Sequence, residues 1–279
     1  MKKAPSPGTI AERAFQLRDL ACVTALLGFL LSLQLATLAG TRQGSQADQC
    51  RSNLRRLIQA WSMYSADNSG RLVPNNGSSA GHPQGTWVAG WLDFTAHFDN
   101  INTVNLVGSD ELANHGLLGP YLQRDATVFR CPSDASTVTI FSQVRNRVRS
   151  VSMNSWMGGY AYCAGNGGDQ YVNYRTQADL SKPSQRWVIG EELSASINDS
   201  MLMIRMDIGN GGWIVDYPGS YHSGGAWFSF SDGHVEFRRW VDPRTMPPIR
   251  AGELLPLQVP MDPPNPDIAW LQERTSELR

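Results

Sequence analysis

Four side chains near the C-terminal third could do chemistry together: His222, Asp232, His234 and Glu236. On a strand, residues 232, 234 and 236 share one face, because side chains alternate with a period of two. Two imidazoles beside two carboxylates could hold a transition metal or act as an acid/base group. A plainer reading competes with this: Asp232-Gly233 sits between two apolar runs and forms a hairpin turn, while His222 hydrogen-bonds across to a neighbouring strand. No metal is assigned. Asp207, Asn210 and Asp216 are calcium-ligand types, but their spacing matches no defined calcium loop. Glu191 with Glu192, or with Asp232, could flank a glycosidic bond, yet adjacent glutamates on a strand point to opposite faces. The chain has no Gly-x-Ser-x-Gly elbow, no His-Glu-x-x-His and no phosphate-cradling glycine loop. No enzyme activity, catalytic residue or cofactor is therefore expected. Trp87, Trp91, Trp156, Trp213 and Trp227 could instead line a sugar-stacking platform, although buried rings in the core are the commoner use of tryptophan.

These groups need elements to position them. The chain has 279 residues, enough for one large domain plus an anchor segment. Lys+Arg 24 against Asp+Glu 25 leaves a net charge of -1, so no basic excess exists to neutralise nucleic acid. With only 18% charged residues but Gly 26 and Pro 16, the chain is neither a coiled coil nor a solvated disordered one. Between Leu20 and Thr41 there is no charged residue, and about 20 apolar residues suffice to cross a bilayer. The expectation is a transmembrane helix over about 20–41. A cleaved secretory signal ending at Thr37-Leu38-Ala39 is the alternative. Basic residues flank the span on both sides (Lys2, Lys3, Arg13, Arg18; Arg42, Arg51, Arg55, Arg56), so charge does not set its orientation.

Cys50, Leu54, Leu57, Ile58, Trp61 and Tyr64 recur at spacings of three and four, marking one apolar helix face. Asp67-Asn68-Ser69-Gly70 stops that helix. Beyond it, short apolar runs between turn residues predict strands at 86–92, 127–131, 186–190 and 201–206, and a hairpin of 226–230 with 234–237. A short helix is expected within 109–123 and another near 266–278, the latter in a Pro-rich tail.

Two sets of residues carry a resemblance. The segment Arg13-Ala14-Phe15-Gln16-Leu17-Arg18-Asp19 is similar to the processing site of type IV pilins and type II secretion pseudopilins, in which a basic leader is cut before a Phe with an acid four residues on. Ala14 stands where that family usually has Gly, and Arg18 where it has an apolar residue. His222, nine residues, then Asp232-Gly233, with Cys131-Pro132-Ser133-Asp134, Arg149 to Asn154 and Glu191 in the same order, resemble the H-x9-D-G subgroup of pseudopilin-like proteins.

The resemblance implies an α+β, pilin-like fold: a long N-terminal transmembrane/amphipathic helix packed on an antiparallel β-sheet head. It divides the chain into a leader (1–14), the helix (15–70), a periplasmic head (71–245) and a C-terminal strap (246–279). It further implies cleavage between Ala14 and Phe15, pairing of the new Phe15 amine with Asp19 of a neighbour, and a single-pass inner-membrane location. Its partners would be like subunits, a prepilin peptidase and an assembly platform. In an oxidising periplasm Cys50, Cys131 and Cys163 would give one disulfide and one spare thiol, and the family's cysteine contexts favour Cys50–Cys131. The implied function is that of a structural subunit in a type II secretion or type IV pilus-like assembly. A membrane-anchored glycan-binding module that does not polymerise is the alternative.

Overall fold

The computed structural model describes residues 17–76, 85–110, 115–159, 170–207 and 211–279, and within these leaves aside the side chains of 17–19 and 30–43. Ala14, Phe15 and the leader lie outside the described residues, as do Cys163 and Asn210. The side chain of Asp19 is likewise not described.

Helix α1 spans Leu17–Asp67, and the chain divides into two units, Met1–Ser45 and Gln46–Arg279. In the first unit Leu20, Val23, Leu26, Leu27 and Phe29 are exposed, and Thr24 Oγ1 bonds back to the Leu20 carbonyl at 3.0 Å. The expectation of a transmembrane helix over about 20–41 is corrected: no helix among the described residues is long and apolar enough to cross a membrane. From Gly44 the helix reads Gly-Ser-Gln-Ala-Asp-Gln, which is polar. The single-pass inner-membrane location, the periplasmic placement of the head and the pilin-like fold built on that anchor fall with it.

The second unit is mixed α+β. Its central sheet has the strand order β5-β3-β4-β7-β8, with β3 at Val151–Asn154, β4 at Trp187–Glu191, β5 at Met201–Leu202, β7 at Gly225–Phe230 and β8 at Val235–Arg239. The sheet is mixed rather than antiparallel, because β5 runs parallel to β3. Two smaller pairs flank it: β1 (Thr137–Ile140) with β2 (Gln143–Asn146), and β6 (Trp213–Ile214) with β9 (Val259–Pro260). The Asp232-Gly233 turn joins β7 to β8 as expected, with Gly233 at φ 94.

The sheet is covered on both faces. On one, Leu54, Leu57, Ile58 and Trp61 of α1 meet Val151, Met153, Val188, Ile189 and Val235. The apolar stripe read from the sequence is thus the buried face, and Asp67 ends the helix where the stop signal lies. On the other face Ala226, Phe228 and Phe230 of β7 meet Trp187, Trp240 and helix α3, Pro266–Thr275, the single turn Val104–Val107 being α2. Alternation along β7 sends Trp227, by contrast, toward the α1 side. Gly190 is required where β4 passes β7, since a Cβ there would lie 2.4 Å from the Phe228 ring.

Three strand expectations fail for local reasons. Residues 85–92 run without strand pairing, although Trp87 and Val88 are fully buried. Ala126–Phe129 is a 3-10 turn, because Asp125 caps it by accepting from the Thr127 N–H. Only Met201–Leu202 of 201–206 pairs. The 109–123 helix is a 3-10 turn at Gly119–Leu122, with 111–114 outside the described residues. The tail is sewn to the head through β9, and α3 starts at Pro266 under the Asn265 cap and buries Ile268 and Leu271.

Candidate functional site: the histidine at the helix–sheet junction

Cys50 lies on the buried face of α1, and Cys131 follows the 3-10 turn at Ala126–Phe129. The two form a disulfide with Cα atoms 5.2 Å apart. Polar contacts fasten the same stretch: Arg56 pairs with Asp125 at 2.7 Å, Asn53 Nδ2 donates to the Arg130 carbonyl at 3.3 Å, and Gln46 Nε2 donates to that of Pro132 at 3.3 Å. The Cys131 N–H donates to Ser150 Oγ at 2.6 Å, which carries the tie onward to the sheet.

His222 arrives from the turn before β7, where Ser223 at φ 51 and Gly224 at φ 79 reverse the chain. Its Nε2 lies 3.0 Å from Glu191 Oε1 at the end of β4 and 3.4 Å from Cys131 Sγ. A carboxylate only accepts, so Nε2–H donates to it. The other carboxylate oxygen, Glu191 Oε2, accepts the Trp227 N–H at 2.8 Å. Cys50, Cys131, Glu191 and His222 are all buried. Their ligand atoms lie within 4.8 Å of one another, the one group among the described residues that could hold a metal ion.

The quartet His222, Asp232, His234 and Glu236 is therefore split. Asp232 pairs with His234 at 2.6 Å, and His234 Nε2 stands 3.8 Å from Glu236, all partly exposed on the β7–β8 hairpin. His222 instead joins Glu191 inside. The sequence pointed to both residues but not to their pairing, because the partner lies 31 positions away and only the β4–β7 pairing brings it near. Glu191 and Glu192 diverge as neighbours on an extended chain should: the Glu192 side chain accepts from Ser196 Oγ at 3.0 Å. The five tryptophans form no single platform, since Trp87 and Trp156 are buried in the cores on opposite sides of the sheet.

A second buried cluster escaped the sequence reading. Arg147 donates to the carbonyls of Ser194 at 2.5 Å and Ile197 at 3.0 Å. Arg149 donates to the Val151 carbonyl and Ser152 Oγ, each at 2.8 Å, and to the Asp199 carbonyl. Burial pulls the Arg149 guanidinium down to about 10. Glu192 and Asp216 are pushed well above the usual carboxylate range by burial first and then by a neighbouring acid, Asp216 for Glu192 and Asp199 for Asp216.

A pH dependence follows from these raised carboxyls. They keep their protons in the folded chain after the unfolded chain has lost them, near pH 4. Stability is then fully present below that point and falls as pH rises toward the folded values, by up to about 1.4 kcal/mol per pH unit for each group. Asp125 and Asp242, whose carboxyls are lowered chiefly by hydrogen bonds from Thr127 and Arg244, act only at more acid pH. The melting temperature should fall between about pH 5 and about pH 8, and Glu192→Gln should flatten that fall. A melting temperature rising across the interval would contradict the assignment.

Comparison with protein-family models, curated proteins and solved structures finds no match to this chain.

Proposed function

We propose that this chain is a structural subunit of a type II secretion or type IV pilus-like assembly, with like subunits, a prepilin peptidase and an assembly platform as partners. One observation carries the reading: the residue that heads the H-x9-D-G motif is spent on scaffolding. His222 is buried between Glu191 and the disulfide that fastens α1 to the sheet, while Asp232 and Gly233 turn β7 into β8. A motif used to lock a helix to a sheet suits a part that bears load. The β1–β2 hairpin adds outward apolar groups for contact between subunits, with Phe141 87% and Val144 71% exposed.

The mature N-terminus of the natural protein, read by mass spectrometry, tests this. A chain beginning at Phe15 is the expected result; one beginning at Met1 or Gly40 contradicts it. Asp19→Ala should then reduce chemical cross-linking between copies, and unchanged cross-linking would remove the assembly argument.

A further inference from the structure

The geometry points to a redox-gated zinc site made of Cys50, Cys131, Glu191 and His222, closed while the cysteines are joined and opened when they are reduced. Nothing in the assembly reading requires it, and its failure would leave that reading untouched. Two thiolates, one imidazole and one carboxylate form a ligand set typical of tetrahedral Zn²⁺. Metal–ligand bonds of 2.0–2.3 Å place tetrahedral ligand atoms about 3.3–3.8 Å apart. His222 Nε2 is already 3.4 Å from Cys131 Sγ and 3.0 Å from Glu191 Oε1, and the four ligand atoms span no more than 4.8 Å. Breaking the disulfide lets the two sulfurs separate, and the remaining ligand atoms need shifts of about 1 Å or less to reach tetrahedral spacing.

The surroundings suit a bound cation. Glu191 Oε2 is held by the Trp227 N–H at 2.8 Å, which fixes the carboxylate with Oε1 toward the histidine. An open cleft of about 460 Å³ is lined by Gln49, Arg130 and Pro132, the residues adjoining the two cysteines in sequence.

The step balances as follows. A dithiol reductant gives two electrons and two protons to the Cys50–Cys131 bond and leaves as its own cyclic disulfide. Zn²⁺ then binds both sulfurs and releases the two thiol protons. The proton that His222 Nε2 shares with Glu191 passes to Nδ1 through solvent, freeing Nε2 for the metal. Reoxidation expels zinc, because joining the two sulfurs withdraws both thiolate ligands from the metal.

Cobalt(II) serves as the spectroscopic probe for zinc. The full chain, reduced with dithiothreitol and freed of it under nitrogen, is titrated with Co²⁺. One equivalent should give a thiolate-to-cobalt charge-transfer band and the visible bands of tetrahedral cobalt, both erased by Zn²⁺, while the oxidised chain gives neither. His222→Ala, and separately Glu191→Gln, should weaken cobalt binding by about 100-fold or more, since even supporting residues cost 10–100-fold. Absence of the bands overturns the proposal, whether the reduced chain stays folded or not. So do bands that persist undiminished in both variants.

Discussion

Replacing Cys50 and Cys131 together by alanine should lower the unfolding free energy by about 2–5 kcal/mol. The bond joins residues 81 apart in sequence. Closing a loop of that order removes unfolded-state entropy worth about 3–4.7 kcal/mol, the values for loops of about 15 and 100 residues. The native ends are held by other means as well, by the Arg56–Asp125 pair and the bonds from Asn53 and Gln46. The double variant should therefore still fold, with an unchanged hydrogen-bonded core and a lower urea midpoint. A loss below about 1 kcal/mol would mean that the disulfide does not restrain the unfolded chain as its span requires.

The second large effect comes from the helix face itself. Trp61 is completely buried beside Leu57 and Ile58, within the core that includes Val188 and Ile189 of β4. Trp61→Ala removes that packing and leaves a cavity, and should cost about 3–5 kcal/mol by urea unfolding. Met63, two residues on, is 51% exposed, and Met63→Ala should change stability by no more than about 0.5 kcal/mol. Equal effects at the two positions would contradict the docking of this face on the sheet.

The legible parts of the fold were those set by local period and turn chemistry. The stripe from Cys50 to Trp61, the Asp67–Gly70 stop, the Asp232-Gly233 hairpin and the Pro266 helix start all follow from neighbours within a few residues. Most of what was not legible depends on distance, with one local exception. The strand reading at 127–131 lost to the Asp125 cap, a local signal that the apolar run concealed. The β1–β2 hairpin alternates in its first strand only, Thr137–Ile140, and its second strand is exposed throughout, so half of the pair carries no apolar signal. Hydropathy suggested a membrane span, but among the described residues no helix meets the length and apolarity that a crossing needs. At the junction, Cys50 and Cys131 were paired through the resemblance alone, while Glu191 and His222 stood out separately. Their convergence depends on α1, the loop before β1, the end of β4 and the turn before β7 meeting at one point, which no spacing in the sequence encodes. The Arg149–Glu192–Asp216 cluster was hidden for the same reason: the charges look like surface residues until β3, β4 and the loop at 199 enclose them.

Central to the account is that α1 is locked at Cys50 to the sheet side of the head beside His222 by the Cys50–Cys131 bond. Peptide mapping of the purified chain, digested without reductant after its free thiols are alkylated, tests this most directly. The account predicts one linked peptide pair carrying Cys50 and Cys131, with Cys22 recovered alkylated. Recovery of Cys50 or Cys131 joined to Cys163, or of both as free alkylated thiols, would contradict it.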